Sequence, residues 1–241
     1  MKINVYKDYE AMSLSAADEI IKCIKNNPTA VICLASGDTP KLMCKLLVEK
    51  IASTGIDISQ CTFIGLDEWV GIPPNNEGSC SYFFHSYLFE PLQLKKEQYY
   101  LFNAVSDDLQ NECVQMNKFI TKNNGIDIMI VGVGMNGHIG FNEPGVSLNN
   151  HAHVIELEEI TQSVGQKYFN TSVEIDKGIT LGLQNLLEAK KVIMIANGSK
   201  KAPVIKRAVD DEISTAFPAT IMRMHSNGIL MIDEDAASSI A

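Results

Sequence analysis

The stretch IDIMIVGVGMNGHIGFNEPG, residues 126–145, joins an apolar run to a segment rich in glycine. Residues 126–133 have the length and the Ile and Val content of a strand that is buried on both faces. The glycines that follow allow the backbone to turn sharply and to approach a ligand closely. This stretch therefore predicts a buried strand whose carboxyl end opens into a ligand-binding loop.

Apolar runs of strand length alternate along the chain with segments of helical spacing. Further strands are predicted at residues 3–6, 30–35, 62–66, 192–196 and 229–232, and helices at residues 10–25, 40–51, 82–88, 107–121 and 199–209. This alternation is typical of a mostly parallel sheet with helices on both faces. No linker rich in Ser, Gly or Pro interrupts it. We therefore expect one α/β domain over residues 1–241, doubly wound and Rossmann-like.

The composition limits the classes of partner. Of the 241 residues, 46% are hydrophobic and 20% are charged, which is enough apolar material for a sizeable core. The 20 Lys and Arg residues against 29 Asp and Glu residues give a net charge of −9. With no basic run present, this charge argues against nucleic acid or an anionic membrane as a partner. An anionic small molecule remains compatible with a local pocket of backbone N–H groups and a few cations.

The cysteines and the amino terminus predict a cytoplasmic protein. None of the six cysteines forms a C-x-x-C pair, so we expect reduced thiols in the core. The amino terminus lacks the apolar region of a secretion signal, and no segment reaches the roughly 18 uninterrupted apolar residues of a membrane span.

Two predicted strand ends carry features of an anion site, and ligands of such sheets bind beyond the carboxyl ends of the strands. The sequence SGDTP, residues 36–40, follows one strand, with Thr39 as the predicted N-cap and Pro40 as the first helical residue. The free N–H groups of a helix start bind phosphate, although an ordinary capped turn has the same sequence. After the strand predicted at residues 192–196, Lys200 and Lys201 lie at the start of another predicted helix and would complete an anion site. The alternative is that both lysines are surface residues exposed to solvent.

Asp67 and Glu68 follow the strand predicted at residues 62–66. Consecutive side chains of an extended chain point in opposite directions, so one carboxylate can face the crevice while the other is tied into the structure. Partial burial raises the pKa of a carboxylate toward the working pH, which makes Asp67 a candidate proton-abstracting base. Loop capping or a surface ion pair is the alternative.

Within the glycine-rich stretch, His138 and Glu143 are the candidate chemical groups. A carboxylate on one ring nitrogen of a histidine fixes the tautomer and leaves the other nitrogen free for proton transfer. A structural histidine in a flexible loop is the alternative. The loop is not a nucleotide-binding fingerprint, because Ile139 stands where the third glycine of G-x-G-x-x-G would fall. No spacing of His, Cys or carboxylates is typical of zinc, so no metal is expected.

Taken in chain order, four motifs are similar to those of one known family. They are SGDTP at residues 36–40, LDEW at 66–69, GMNGHIGFNEPG at 134–145 and GSKK at 198–201. The chain resembles the glucosamine-6-phosphate deaminases, a group that includes the galactosamine-6-phosphate isomerases and, more distantly, the 6-phosphogluconolactonases. The match runs along nearly the whole chain, and its segment His-x-x-x-Asn-Glu-Pro is highly specific.

The resemblance implies an isomerase/deaminase that acts on a hexosamine 6-phosphate without a metal or organic cofactor. Asp67 would move a proton from C2 to C1, and His138, oriented by Glu143, would move the proton that opens the sugar ring. The 6-phosphate would be held by Ser36, Gly37, Thr39 and Lys201, while Asp38, Gly134 and Gly137 complete the candidate substrate-binding set.

Two positions depart from the family pattern. Many glucosamine-type members carry Asp two residues before the histidine, where this chain has Asn136. The amide can orient an imidazole, so Asn136 stays in the candidate catalytic set, but it cannot stabilise the protonated ring as a carboxylate does. An arginine that assists the phosphate in many members has no clear counterpart. Lys167 lies near the position of that arginine, although a lysine cannot make the bidentate contact that an arginine makes with a phosphate.

The choice of sugar follows from pattern similarity alone. Residues 30–35, 178–183, 214–219 and 225–227 are more similar to the galactosamine branch than to the glucosamine branch. We therefore predict conversion of galactosamine 6-phosphate to tagatose 6-phosphate and ammonia. The alternative is glucosamine 6-phosphate, giving fructose 6-phosphate and ammonia. A 6-phosphogluconolactonase and a non-catalytic sugar-phosphate sensor are distant alternatives, and a monomer or small homo-oligomer is expected.

Overall fold

Ten strands form two sheets in the computed structural model, which describes residues 1–240. The strands are β1 (Lys2–Tyr6), β2 (Val31–Leu34), β3 (Thr62–Gly65), β4 (Asp67–Trp69), β5 (Tyr99–Tyr100), β6 (Ile128–Val131), β7 (His153–Glu156), β8 (Lys177–Thr180), β9 (Val192–Ala196) and β10 (Gly228–Asp233). The main sheet has seven strands in the order β1-β10-β9-β6-β2-β3-β5, and every pair in it is parallel. A second, antiparallel sheet has the order β4-β8-β7.

Eight α-helices surround the main sheet. They are α1 (Tyr9–Asn26), α2 (Asp38–Thr54), α3 (Cys80–Phe84), α4 (Leu109–Lys122), α5 (Glu159–Gly165), α6 (Leu183–Glu188), α7 (Ala202–Asp210) and α8 (Glu234–Ala237). A π-helical turn, His85–Phe89, continues α3, and 3₁₀ turns precede or follow several other elements. In residues 1–240 no helix is both long and apolar enough to cross a membrane.

The central strands are apolar throughout because helices cover both faces of the sheet. Every residue of β2, β6 and β9 is buried. Successive residues of a strand point to opposite faces: Ile32 packs in a core cluster with α1 and α2, whereas Cys33 packs in a second cluster with α4 and α7. The predicted single-domain, doubly wound α/β fold is therefore confirmed.

The six predicted strands are all present, but four others are missing from the prediction. β5 has only two residues, and β4 is a three-residue strand with two carboxylates. β7 and β8 pair with each other at the side of the main sheet, and β7 has no fully buried residue. Short or half-exposed strands carry no apolar run, so periodicity does not detect them.

The prediction that Thr39 is an N-cap is wrong. α2 begins at Asp38, and Gly37 is the N-cap residue, with φ 109° and ψ −170°. A positive φ is accessible to glycine at little cost, so the chain turns at Gly37 directly after β2. Thr39 and Pro40 lie in the first turn of α2. The N–H groups of the first turn have no acceptor within the helix, so the missing N–H of Pro40 costs no helical hydrogen bond. Similarly, the helix predicted at 199–209 begins as a 3₁₀ turn, Ser199–Lys201, before α7.

Candidate active site

A cavity of about 530 Å³ opens at the carboxyl ends of β2, β3 and β6. The candidate residues that line it are Ser36, Gly37, Asp38, Thr39, Asp67, Gly134, His138 and Lys201, and Lys167 lines it too. Asn136, Gly137 and Glu143 are not part of its wall. Residues that are distant in sequence therefore converge, because parallel strands end at the same edge of the sheet.

The two adjacent carboxylates of β4 have different surroundings. Glu68 is only 2% exposed. Its carboxylate accepts hydrogen bonds of 2.7 to 3.0 Å from the backbone N–H groups of Trp69, Cys80 and Ser81 and from the hydroxyl of Ser81. Because Cys80 and Ser81 are the first residues of α3, Glu68 fastens that helix to β4.

Asp67 points into the cavity instead. Its only side-chain partner in the described chain is the thiol of Cys80, with Sγ 3.7 Å from Oδ1. Burial, followed by the nearby charge of Glu68, raises the pKa of Asp67 from its ordinary value of 3.8 to about 7. A carboxyl group that titrates near neutrality inside a cavity is suited to accept a proton and to return it.

His138 has two oxygen partners on one ring nitrogen. Its Nδ1 lies 3.1 Å from Oγ1 of Thr161 and 3.5 Å from Oε2 of Glu143. These neighbours favour the tautomer with a proton on Nδ1, which leaves Nε2 for chemistry. Burial raises the pKa of Glu143, but the hydrogen bond and charge of His138, together with hydrogen bonds from Thr161 and Asn136, outweigh it and lower that pKa below its ordinary value.

Gly134 and Gly137 are glycines for different reasons. A Cβ atom on Gly134 would lie 2.2 Å from Cε1 of His138, so the imidazole needs the space above this backbone. Gly137 adopts a φ of +86°, and a Cβ there would meet the ring of Phe217 at 2.5 Å. Gly134 therefore determines the position of the histidine, whereas Gly137 allows the loop to turn and pack.

Asn136 contacts carboxylates rather than the imidazole. Its Nδ2 donates to Oε2 of Glu143 at 2.6 Å and to Oε2 of Glu158 at 2.7 Å. Its Oδ1 accepts from the backbone N–H of His138 at 3.3 Å. Asn136 therefore acts on the ring through Glu143 and through the backbone.

Lys167 and Lys201 bring positive charge to the part of the cavity near the start of α2, the anion end of the cavity. Nζ of Lys201 donates to the carbonyl oxygen of Val133 at 2.5 Å. Burial, followed by the positive charge of Lys167, lowers the pKa of Lys201 to about 8. Lys167 forms an ion pair of 2.7 Å with Asp38, which is the first residue of α2. Two lysines and a helix start are groups suited to binding an anion.

Several cavity residues gave no signal in the sequence. Thr161 lies on the short helix α5, and Tyr168 lies in the 3₁₀ turn that follows it. Cys80 lies on α3, a helix of five residues. Polar residues in such short elements have no periodic pattern, so only their tertiary contacts identify them. In residues 1–240 no group of three His, Cys, Asp or Glu side chains is arranged to hold a metal ion.

Comparison with known proteins establishes the family. The family model for glucosamine-6-phosphate isomerases/6-phosphogluconolactonase matches residues 7–231, so the chain belongs to this family. A glucosamine-6-phosphate deaminase of Thermoanaerobacter sp. (strain X514) is 38% identical over 241 residues, which cover 100% of this chain and 95% of that protein. One of Clostridium perfringens (strain 13 / Type A) is 39% identical over 238 residues, covering 98% of each chain.

Solved structures agree with this assignment. A monomeric glucosamine-6-phosphate deaminase superimposes with a TM-score of 0.95 at 31% identity, covering 99% of this chain and 100% of that chain. The 6-phosphogluconolactonase of Trypanosoma brucei has a TM-score of 0.81 at 17% identity, covering 100% and 98%, and shares the fold. The predicted resemblance is confirmed, and with it the prediction of an enzyme of the isomerase/deaminase class.

The contact between Gly134 and the imidazole predicts that Gly134→Ala displaces His138. We expect the side-chain NMR signals of one of the five histidines to move, while the other four keep their positions. Gly132→Ala is the matched control, because a Cβ on Gly132 meets nothing within 4 Å. Unchanged histidine spectra in Gly134→Ala would contradict the packing described here.

The raised pKa of Asp67 predicts a pH-dependent effect of Asp67→Asn on stability. Because the native state holds this proton up to a pH of about 7, the wild type loses stability as the pH rises from 3.8 to about 7. Asp67→Asn cannot lose that proton, so its unfolding temperature should rise relative to wild type between pH 5 and pH 8. Calorimetry at both pH values measures this. Asp107→Asn is the control, because Asp107 is exposed. If the unfolding temperatures of Asp67→Asn and wild type differ by the same amount at pH 5 and pH 8, the raised pKa of Asp67 is contradicted.

Proposed function

We propose that this protein is a glucosamine-6-phosphate deaminase, which converts glucosamine 6-phosphate and water to fructose 6-phosphate and ammonia. The observation that supports this proposal most strongly is that Asp67, with a pKa of about 7, lines the same cavity as His138 and Lys201. The relatives named above are glucosamine-6-phosphate deaminases. These relatives favour glucosamine 6-phosphate as the substrate, whereas the sequence patterns favoured galactosamine 6-phosphate.

In this proposal the two ends of the cavity have separate tasks. The free N–H groups and hydroxyls of Ser36, Gly37 and Thr39 hold the 6-phosphate together with Lys201 and Lys167. Binding energy from this remote group positions the reacting carbons without taking part in the chemistry. The ion pair with Asp38 holds Lys167 next to the same helix start.

Proton transfer then proceeds in three steps. Nε2 of His138 moves a proton from the C1 hydroxyl to the ring oxygen, which breaks the C1–O bond of the ring and leaves an open-chain aldehyde. Asp67 takes the C2 proton and returns it to C1, while one proton of the C2 ammonium passes to the C1 oxygen, so C1 becomes a CH2OH group and the C2 ammonium becomes an iminium. Water adds to C2 and ammonia leaves, which gives the ketose. No metal or organic cofactor is required in this sequence.

The chemistry of Asp67 argues against the lactonase alternative. Lactone hydrolysis adds water to an ester carbonyl and removes no proton from carbon, so it needs no carboxylate that carries a proton between neighbouring carbons. The lactonase similarity of 17% identity supports the fold alone. A sugar-phosphate sensor would need no base in the cavity either, and the family is one of enzymes.

An ammonia-release assay tests the proposed function. We expect the wild-type protein to release ammonia from glucosamine 6-phosphate faster than from galactosamine 6-phosphate when both are supplied side by side. Asp67→Asn should lower kcat by about 10³-fold, since a positioned general base contributes roughly 10² to 10⁴. Binding of fructose 6-phosphate, followed by calorimetry, should survive in this variant. No ammonia from either sugar would refute the proposal, and full turnover by Asp67→Asn would remove Asp67 from the mechanism.

The anion end of the cavity gives a second test. Lys201→Gln should raise KM for glucosamine 6-phosphate by roughly 10- to 100-fold, because a charge-assisted hydrogen bond to the phosphate is lost. Lys200→Gln is the matched control: Lys200 is the preceding residue, is exposed and does not line the cavity. Equal KM values for the two variants would show that Lys201 does not hold the substrate.

A further inference from the structure

The side chain of Glu158 does not cap the helix that it precedes. Glu158 is the N-cap residue of α5, and its carboxylate accepts no hydrogen bond from that helix. The shorter side chains of Ser, Thr, Asp and Asn are the ones that usually cap the N–H groups of the first turn. Here Oε2 of Glu158 lies 2.7 Å from Nδ2 of Asn136, in the glycine-rich loop. The carboxylate therefore connects two separate segments.

Asn136 commits both hydrogens of its amide nitrogen to carboxylates. One goes to Oε2 of Glu143 at 2.6 Å and the other to Oε2 of Glu158 at 2.7 Å. The amide oxygen faces the backbone N–H of His138. A side-chain amide has two N–H donors, so Glu143 and Glu158 together satisfy this nitrogen completely.

A second contact joins the same two glutamates. The backbone N–H of Glu158 donates to Oε1 of Glu143 at 3.4 Å. Glu143 is 3% exposed, and its other oxygen is the one that lies beside Nδ1 of His138. Three residues later, α5 also supplies Thr161, whose hydroxyl contacts the same Nδ1. The start of α5 is thus attached to both groups that face this ring nitrogen.

We propose that Glu158 is a positioning residue for the reaction, acting through the amide of Asn136 on Glu143 and so on His138. This inference rests on the proposed function. By accepting one N–H of Asn136, Glu158 directs the other toward Glu143 and holds that carboxylate behind the imidazole. The neutral amide is essential, because Asn136→Asp would place a third carboxylate between Glu143 and Glu158, and like charges so close cannot all ionise.

Substitutions of the exposed Glu158 separate its hydrogen bond from its charge. We expect Glu158→Ala to lower kcat in the ammonia-release assay about tenfold, with KM within twofold of wild type, since ring opening is impaired and the phosphate site is intact. Glu158→Gln should stay within threefold, because its amide oxygen accepts the same N–H. Glu159→Ala is the control: Glu159 is exposed, and its side chain has no hydrogen-bond partner in residues 1–240. A wild-type kcat for Glu158→Ala, or a change in KM alone, would overturn the inference.

A double-variant cycle tests the bridge directly. Asn136→Ala removes both N–H donors and should lower kcat at least tenfold, and adding Glu158→Ala to it should change kcat by less than twofold, because Glu158 acts only through that amide. A further tenfold loss in the double variant would refute the bridge. All rates are expressed relative to wild type, so an inactive wild type refutes the proposed function instead. In that case the unfolding temperatures of the same proteins decide: both single variants should unfold at a lower temperature than wild type and their effects should not add, and additive effects would refute the bridge.

Discussion

The buried carboxylate of Glu68 holds together the edge of the sheet that carries the cavity. An ionised group that is only 2% exposed is costly to bury unless its oxygens are satisfied, and four donors from β4 and α3 satisfy them. This arrangement attaches α3 to β4 and determines the direction of the neighbouring side chain. Asp67 consequently faces the cavity, and the charge of Glu68 adds to the burial that raises the pKa of Asp67 to about 7.

A second set of contacts positions His138 in the wall of the same cavity. The backbone at Gly134 leaves room for the imidazole, and Glu143 and Thr161 face its Nδ1. Thr161 belongs to α5, which lies in the connection between β7 and β8 of the small antiparallel sheet, so the histidine depends on a segment outside the main sheet. The glycine-rich loop and α5 therefore form one structural unit, joined through Asn136 and Glu158.

At the anion end of the cavity, Lys167 pairs with Asp38, whereas Lys201 forms no ion pair within residues 1–240. Lys201 is half-buried near Lys167, and burial, followed by this like charge, lowers the pKa of Lys201 to about 8. An anion bound between the two lysines and the start of α2 would favour their charged forms. The same groups that lower the pKa of Lys201 therefore make the cavity suited to a phosphate-bearing molecule, in a chain whose net charge is −9.

The sequence by itself determined the buried strands and the motifs that follow them, because their patterns lie within single segments of the chain. Continuous apolar runs such as residues 192–196 identified the buried strands, and LDEW and His-x-x-x-Asn-Glu-Pro identified the residues that follow β3 and β6. Only the tertiary structure decided which of Asp67 and Glu68 faces the cavity, because that depends on donors from α3. The same holds for Thr161 and Glu158, which lie on and just before the short helix α5, where no periodic pattern is present. Their roles arise from contacts with residues far away in the chain, and no pattern within one segment encodes such contacts.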